Sequence, residues 1–390
     1  MRVKQIGRER IVLARVTTQH PWLQCRLMAQ EAVVPVRLDR ASYDITIRRG
    51  LLSDVGKILA TLSRAKKAAI VTDSNVGPTY AQTVAQSLRS AGFEPVIATI
   101  SAGEDHKTLA DLEPVFTALL SHKIDRNVPV LALGGGVIGD MAGFVAATTL
   151  RGIPFVQIPT SLLAMVDASV GGKTGVNHAL GKNLIGAFHQ PIAVLIDPEV
   201  LQTLPDSEIE GGLAECIKHD IIRDAEGFER LEKNIGRAIS RDIDYLAELV
   251  AHNVAIKARV VEADPFEKGE RAHLNFGHTF GHAIETVSHY SYSHGQCVAL
   301  GMAAACRLAV DLGMIDETAH RRVLSIIRTA KLPIDGLKLP TRDVVDAMAL
   351  DKKVASGKIR FILPDRIGHV VIRDDIPVEL AAKAVDSLRG

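Results

Sequence analysis

Residues 131–140 carry the letters LALGGGVIGD, in which a buried strand leads through glycines toward a helix that we expect from Met141 to Thr149. Gly134, Gly136 and Gly139 match the spacing G-x-G-x-x-G. Glycines let a backbone approach a pyrophosphate, and a helix N-terminus offers it unpaired N–H groups. The stretch therefore predicts a dinucleotide-binding turn or, as the simpler alternative, only a tight turn.

Short apolar runs on both sides of this stretch indicate further strands. Patterns with helical period at 77–91 and 107–122 separate some of them, which favours a parallel sheet covered on both faces. The usual acidic ribose partner about twenty residues after the glycines is missing. Asp73, at the end of an earlier strand, could take that role. The predicted strands are 68–72, 95–100, 128–133, 154–158 and 192–196.

The second half of the chain has a different pattern, with helical periodicity and few extended runs. We therefore predict a Rossmann-like, NAD-binding α/β domain at 33–205 and a mostly α-helical domain at 206–390. The preceding residues 1–32 form an N-terminal extension that could be disordered. The predicted helices are 207–222, 242–263, 273–288, 296–312 and 317–330, and the only predicted strands after them are 359–363 and 370–372.

Composition limits the possible partners and compartments. The formal net charge is +1, and no run reaches eighteen apolar residues, so neither nucleic acid nor a membrane is expected as a partner. The four cysteines contain no C-x-x-C pair, which favours a reducing, cytoplasmic location. Residues 1–27 are basic but have no apolar signal region, so we expect Met28 to be the natural start and the preceding residues to be dispensable; an ordered arm is the alternative.

Charged residues are scarce from 129 to 203, where only seven of 75 residues are charged against 23% for the whole chain. A charge in apolar, glycine-rich sequence is costly to bury unless it is paired or used. Asp167 and Lys173 flank ASVGG, and Lys182 follows Gly181. Cations beside glycines suit a phosphate or a carboxylate ligand, although each of these residues could instead form a structural ion pair.

Histidines cluster in LNFGHTFGHAIE, residues 274–285. His278 and His282 lie four apart and thus on one helical face, and His294 follows. Two of these histidines and Glu215 could supply two imidazoles and a carboxylate to a metal ion, which leaves one coordination position open as in catalytic zinc sites. The alternative is a set of structural histidines. H-E-x-x-H is absent, so a zinc protease is not indicated.

Several long motifs in one order resemble 3-dehydroquinate synthase. They are GGGVIGD, LRGIPFVQIPTSLLAMVDASVGGKTGVN, GKNLIGAFHQP, GGLAECIKHDII, LNFGHTFGHAIE, SHGQCVALGM and DKK, and the resemblance covers residues 35–390. It implies a cytoplasmic homodimer with NAD and one divalent metal, zinc or cobalt, in a cleft between two domains. The implied reaction converts 3-deoxy-D-arabino-heptulosonate 7-phosphate, a small phosphorylated sugar acid, to 3-dehydroquinate and phosphate in the shikimate pathway of aromatic amino acid biosynthesis.

The resemblance also implies roles for individual residues. Glu215, His278 and His294 match the metal ligands, so His282 would face the phosphate instead. The catalytic positions are Glu267, as the acid–base carboxylate, His282, Lys173 and Lys218. The substrate-binding positions are Lys173, Asn183, Asn275, His282 and Lys352 or Lys353 at the phosphate, Arg151 lent to the neighbouring subunit, Lys257 and Arg271 at the carboxylate, and Asp167 and Lys218. The NAD contacts are Asp73, Asn75, Glu104, Lys107, Gly135, Gly136, Val137, Asp140, Thr160, Ser161, Lys182 and Thr203.

One departure from the family pattern bears on Glu267. The family often has Asp-Glu where this chain has Asp264-Pro265. A proline there would end the helix early and shift Glu267, because it removes an N–H donor and clashes with the preceding turn.

The implied mechanism uses NAD without net oxidation: transient oxidation, phosphate elimination, re-reduction and intramolecular aldol closure. Three alternatives remain at this stage. A sugar phosphate cyclase acting on sedoheptulose 7-phosphate would need no carboxylate site. A metal-dependent polyol dehydrogenase would produce NADH, and a non-catalytic NAD-binding module would not need the metal ligands.

Overall fold

The computed structural model describes residues 31–39, 41–267, 269–352 and 359–390. The strands are β1 (Glu31–Val36), β2 (Tyr43–Arg48), β3 (Lys67–Asp73), β4 (Glu94–Ile100), β5 (Val130–Gly134), β6 (Phe155–Pro159), β7 (Lys173–His178), β8 (Gly181–Phe188), β9 (Ala193–Ile196), β10 (Phe361–Arg366) and β11 (His369–Arg373). The α-helices are α1 (Val55–Leu62), α2 (Gly77–Ser90), α3 (Leu109–Ser121), α4 (Gly136–Thr148), α5 (Asp206–Arg223), α6 (Ala225–Ile239), α7 (Ile243–Ala263), α8 (His278–Val287), α9 (His294–Asp311), α10 (Glu317–Thr329), α11 (Thr341–Lys352) and α12 (Val378–Asp386). Short 3-10 helices lie at Leu51–Asp54, Glu104–His106, Thr149–Arg151, Pro198–Gln202, Glu270–Asn275 and Ser387–Arg389, and a π-turn lies at Ala164–Ala168.

Seven strands form one sheet in the order β1-β2-β9-β6-β5-β3-β4. β1 pairs with β2 in antiparallel fashion, and all other neighbours are parallel. From β3 the chain first moves outward to β4 and then returns to β5 on the other side of β3. Ligands of open α/β sheets bind at such a switch point, beyond the carboxyl ends of the strands.

Side chains of the parallel strands alternate between the two faces of the sheet. On β5, Leu131 and Leu133 belong to the buried cluster that also contains residues of α1 and α2. Val130 and Ala132 belong to a second cluster, with residues of α3 and α4. Because both faces are covered, the central strands are mostly apolar, and the predicted doubly covered parallel sheet is confirmed.

The helical half comprises α5 to α12 together with the β10–β11 hairpin. Its apolar side chains belong to the same buried cluster as one face of the sheet, which extends from Ala32 to Leu388. α7 contacts β1, and α5 and α7 contact the π-turn at Ala164–Ala168. The predicted succession of an α/β half and a helical half is thus confirmed; the assignment of two domains stays a prediction. Among the described residues no helix is long and apolar enough to cross a membrane.

Some element boundaries differ from the sequence-based ones. The helix expected from Met141 begins at Gly136, so the glycines form its first turn. The β7–β8 hairpin and the helices α6, α11 and α12 were not predicted. β1 begins at Glu31, two residues before the expected start of the α/β half, and residues 1–30, including the proposed start at Met28, lie outside the described residues.

Candidate active site

The carboxyl ends of the parallel strands bring most of the expected nucleotide contacts to one edge. Asp73 ends β3, and its Oδ1 accepts the N–H groups of Asn75 (2.8 Å) and Val76 (2.9 Å). Beside it, β5 leads into α4. Thr160, immediately after β6, donates its N–H to the Gly134 carbonyl at 3.0 Å. Thr203 follows β9 and is held by the Tyr80 hydroxyl at 2.6 Å.

The first turn of α4 can bind an anion. Its N-cap residue Gly135 accepts the N–H of Gly139, so the N–H groups of Gly136, Val137 and Ile138 lack partners within the helix. A Cβ on Gly135 would lie 3.5 Å from the Ser161 hydroxyl oxygen, so this wall of the turn is close-packed. An earlier helix start therefore strengthens the predicted phosphate-binding role, because the unpaired N–H groups belong to the glycine turn itself.

The unpredicted β7–β8 hairpin supplies polar partners to this edge. Lys107 donates to Asp140 at 2.6 Å and to Asn183 of β8 at 2.5 Å. Burial raises the pKa of the Asp140 carboxyl, against the lowering effect of Lys107. Lys182, which precedes Asn183 on β8, donates to Glu285 of α8 at 2.7 Å.

These contacts continue through the site as one chain of polar side chains, which we call the bridging network. Its members, in order of contact, are Glu285, Lys182, Glu104, Asn177, Asn183, Lys107 and Asp140. The network connects the helical half to Asp140, which follows the first turn of α4.

The three expected metal ligands lie together at the other end of the site. Glu215 Oε1 is 3.6 Å from Nε2 of His278 and 3.6 Å from Nε2 of His294. Metal–ligand bonds of about 2.1 Å in a tetrahedron imply ligand-to-ligand distances of about 3.4 Å. The observed spacing therefore suits a zinc-sized ion with one position left open.

Glu215 is 1% exposed, and neither of its oxygens accepts a hydrogen bond among the described residues, although the Lys218 ammonium lies against Oε2. Two other groups could hold a metal: His282, Glu285 and His294, or Asp167, Glu215 and His219. All three groups contain a paired carboxylate: Glu285 with Lys182, Asp167 with Lys257 and Glu215, through Oε2, with Lys218. Oε1 of Glu215 accepts no hydrogen bond among the described residues and faces the Nε2 atoms of both His278 and His294, which favours the triad expected from the sequence.

Electrostatics make this triad receptive to positive charge. Burial raises the pKa of Glu215, but the Lys218 ammonium together with His294 and His278 holds the pKa below its usual range. Burial, with the same ammonium, lowers the pKa of His278, so its ring is neutral, the form that binds a metal. Burial lowers the pKa of His294, whereas contacts with Glu215 and Glu285 raise it to about 9. The space between the two carboxylates therefore favours a cation.

Close helix packing sets the spacing of the triad. A Cβ on Gly295, next to His294 at the start of α9, would lie 2.3 Å from the Cα of Gly211 in α5. A Cβ on Gly301 of α9 would lie 1.9 Å from the carbonyl oxygen of Gly277, next to His278. Only glycines allow these approaches, the first of which brings the beginning of α9 against α5 and the second the beginning of α8 against α9.

Three residues that were expected to act on or bind the substrate, Glu267, Lys173 and Asn275, form one cluster. Glu267 pairs with Lys173 at the start of β7 and accepts the Asn275 amide at 3.1 Å. α7 ends at Ala263, before Pro265, and Glu267 has a positive φ of 58°. Burial raises the pKa of Glu267, but Lys173 lowers it below its usual value, so the carboxylate is ionised. Helix α7 thus ends two residues before Pro265, and Glu267 nevertheless contacts Lys173 and Asn275.

Two of the expected substrate-binding residues, Lys257 and Arg271, are buried cations. Lys257 donates to the Asp167 carbonyl at 2.6 Å and pairs with its carboxylate at 2.7 Å. His219, beside Lys218 on α5, lies 3.6 Å from the same carboxylate. Arg271 is 2% exposed and donates to the carbonyls of Pro265 (2.7 Å) and Gly171 (3.4 Å). In the described part of the chain no ion pair involves Arg271.

The remaining expected substrate-binding positions are His282, Arg151, Lys352 and Lys353. His282 contacts the ring of His278, with centroids 5.1 Å apart, as their spacing of four predicted. Arg151 is exposed in the turn after α4 and has a positive φ of 68°. Lys352 ends α11, and Lys353 lies outside the described residues, so neither of these lysine side chains is described.

Sequence reasoning missed Glu285, Asn177 and the packing glycines. Glu285 follows His278 by seven residues and His282 by three, so the sequence already placed it on their helical face. Asn177 carried no signal, because the hairpin that positions it was not predicted.

Comparisons with known proteins agree on one family. Residues 97–211 match the family profile described as 3-dehydroquinate synthase N-terminal, and 212–354 match 3-dehydroquinate synthase C-terminal. A 3-dehydroquinate synthase of Desulforamulus reducens is 47% identical over 345 residues, which are 88% of this chain and 96% of the relative. That of Gloeobacter violaceus is 47% identical over 359 residues, covering 92% and 99%.

A solved structure has the same fold. ValA, a 2-epi-5-epi-valiolone synthase from Streptomyces hygroscopicus with NAD+ and Zn2+ bound, superposes with a TM-score of 0.83 at 31% identity, over 90% of this chain and 98% of that one. Together with the family profiles and the curated relatives, this confirms the assignment made from the sequence motifs: the chain belongs to the 3-dehydroquinate synthase family.

Proposed function

We propose that this chain is a 3-dehydroquinate synthase, which converts 3-deoxy-D-arabino-heptulosonate 7-phosphate to 3-dehydroquinate and phosphate. The observation that carries the proposal is the buried carboxylate of Glu215, whose Oε1 accepts no hydrogen bond among the described residues and faces two imidazoles. A bridging network connects this site to Asp140, directly after the glycine turn of α4. Relatives about 47% identical over most of the chain carry this activity in their names.

The residues suit NAD and one divalent metal, zinc or cobalt. Glu215, His278 and His294 would hold the metal, and the first turn of α4 would hold the pyrophosphate of NAD. When bound, NAD supplies a hydride acceptor that later returns the hydride, and the metal supplies a Lewis acid. ValA, which shares the fold, has NAD+ and Zn2+ bound.

The phosphate end of the substrate would lie against Lys173, Asn275 and His282. These groups hold the phosphate and need not act as bases. In the elimination the C–H bond beside the ketone breaks, its electrons form the C=C bond, the C–O bond breaks, and the phosphate leaves with the proton. Glu267, ionised beside Lys173, contacts two residues of the expected phosphate site and would serve as a proton acceptor in the later steps.

The carboxylate end of the substrate would lie against Arg271 and Lys257. Lys257 already has Asp167 as a partner, whereas the Arg271 guanidinium donates hydrogen bonds only to backbone carbonyls among the described residues. A substrate carboxylate would complete the coordination of this guanidinium through two parallel hydrogen bonds.

The alternative left open by the sequence is a cyclase that acts on sedoheptulose 7-phosphate. Such a substrate has no carboxylate, so the buried Arg271 guanidinium would stay without a direct ion-pair partner among the described residues, which is costly. The higher identity to the 3-dehydroquinate synthases also disfavours it.

We further propose a cytoplasmic homodimer in which Arg151 contacts the neighbouring subunit's phosphate site. The exposed position of Arg151 supports this role. The buried thiols of Cys216, Cys297 and Cys306 are all free, which suits a reducing compartment.

Metal removal tests the proposal. We expect that stripping the protein with a chelator will lower the rate of phosphate release by about 100-fold or more, because a Lewis acid contributes several kcal/mol to such a reaction. Zinc or cobalt should restore the rate in the wild type but not in Glu215→Gln, and a control, Glu232→Gln in α6, should respond as the wild type does. Full activity of metal-free protein would refute the metal site.

A further inference from the structure

Glu285 is a buried carboxylate at the junction between the metal triad and the bridging network. It is 7% exposed, and its two oxygens have different partners. Oε1 accepts the Lys182 ammonium at 2.7 Å, and Oε2 lies 3.9 Å from Nδ1 of His294. The other ring nitrogen of His294, Nε2, faces Glu215. The imidazole of His294 thus lies between Glu215, which belongs to the metal triad, and Glu285, which contacts Lys182 at the nucleotide end of the site.

We propose that Glu285 is a positioning residue that orients His294 toward the metal and Lys182 toward the dinucleotide, and that it thereby couples the binding of the two cofactors. This inference rests on the proposed function, which requires both cofactors in one site. It assigns a role to a side chain that would touch neither of them directly.

The metal side of the proposal follows from the two nitrogens of His294. A negative charge beside Nδ1 favours the tautomer that carries its proton there, which leaves the lone pair of Nε2 for a metal. The separation of 3.9 Å is an ion-pair distance, longer than a hydrogen bond, so Glu285 acts mainly through its charge.

The nucleotide side follows from the contacts of Lys182. Its ammonium lies 3.9 Å from Glu104, beyond β4, and 4.3 Å from the ring centroid of Tyr290. Glu285 is its closest anionic partner. Without that carboxylate, Lys182 would be drawn toward Glu104 and away from the position that it now holds beside α8.

Coupling between the cofactors follows from this shared anchor. A metal that fixes His294 also fixes Glu285, and hence Lys182, before NAD arrives. NAD then binds to a side chain that is already ordered, so its affinity rises. Because such coupling is reciprocal, NAD must raise the metal affinity by the same factor, which is typically about 5- to 150-fold.

Metal titration of Glu285→Gln tests the metal side. We expect metal-free Glu285→Gln to bind one Co2+ per chain with about 10- to 100-fold lower affinity than the wild type, the loss typical of an outer-sphere partner. The visible absorption of the bound Co2+ should keep its four-coordinate character. Unchanged affinity would overturn the proposal, and so would a complete loss of Co2+ binding, which would make Glu285 a ligand.

Calorimetric titration with NAD, with and without Co2+, tests the coupling in the absence of substrate. The wild type should bind NAD at least about 5-fold more tightly when Co2+ is present, and Glu285→Gln should lose this difference. Glu232→Gln, whose carboxylate pairs with Arg322 away from the site, is the matched control and should keep it. An unchanged ratio in Glu285→Gln would contradict the proposed coupling.

Lys182→Met provides a second route should Glu285→Gln not fold. It should keep the wild-type Co2+ affinity in the absence of NAD and lose the effect of Co2+ on NAD binding. If the effect persisted, Lys182 would not carry the coupling. None of these titrations involves turnover, so a failure of the proposed reaction is detected separately.

Discussion

At the scale of single residues, Arg271 decides which substrate the site can accept. Its guanidinium is 2% exposed and donates to two backbone carbonyls, without an ion pair among the residues that the structure describes. A buried cation of this kind is stabilised when an anion completes its surroundings. Because the heptulosonate carries a carboxylate and sedoheptulose 7-phosphate does not, the contribution of Arg271 distinguishes the two.

We expect Arg271→Ala to lower kcat/KM for the heptulosonate phosphate roughly 30- to 5,000-fold. This corresponds to a loss of about 2–5 kcal/mol in transition-state stabilisation, as is typical when one partner of a buried charge pair is removed. An analogue without the carboxylate should lose much less. Steady-state kinetics on both compounds, with Arg322→Ala as a control outside the site, measure the difference. Equal losses on both compounds would mean that Arg271 does not bind the carboxylate.

The sequence predicted site residues better than it predicted their pairings. The histidine spacing and the motif resemblance identified Glu215, His278 and His294, and the structure brings these side chains together. Their roles remain predictions. The pairing of Lys107 with Asn183 could not be foreseen, because it depends on a hairpin whose sequence is rich in glycine and lacks a clear alternation of polar and apolar residues.

At the scale of elements, helix starts and helix packing place the chemistry. The glycines of α4 have low helix propensity, which is why the sequence indicated a loop up to Met141. The helix nevertheless begins at Gly136. α6 was predictable, since Phe228, Leu231 and Ile235 recur at intervals of three and four and are buried. The close approach of α5 and α9 was not, because it depends on two glycines distant in sequence.

Gly295→Ala tests whether this approach sets the metal site. Its Cβ would lie 2.3 Å from the Gly211 backbone, so α9 must move away from α5 and take His294 with it. We expect a loss of about 1–3 kcal/mol in the free energy of unfolding, as for overpacked cores, together with weaker Co2+ binding.

Gly236→Ala in α6 is the matched control. A Cβ there meets no heavy atom within 4 Å. Replacing a mid-helix glycine by alanine should raise the free energy of unfolding by about 0.5–1 kcal/mol without changing metal affinity. Denaturant unfolding and Co2+ titration of both variants give the comparison. If Gly295→Ala behaved like Gly236→Ala, helix contact would not control the triad.

At the scale of the whole molecule, the two halves contribute different parts of one site. The sheet supplies the turn of α4 and the β7–β8 hairpin, the helices supply the metal triad, and the bridging network joins them. Strand–helix alternation was enough to predict a parallel sheet and a helical second half. The strand order and the antiparallel β1–β2 pair were not predictable, because they depend on contacts between segments far apart in sequence.

The central claim is that NAD and a metal serve a phosphate elimination and ring closure without net oxidation. Its most direct test is to incubate purified protein with 3-deoxy-D-arabino-heptulosonate 7-phosphate, zinc or cobalt, and NAD in amounts well below the substrate. The account predicts phosphate and 3-dehydroquinate in equal amounts, many turnovers per NAD, and no rise in absorbance at the NADH wavelength. NADH formed in proportion to consumed substrate would contradict it, and a preference for sedoheptulose 7-phosphate would contradict the assignment of the substrate.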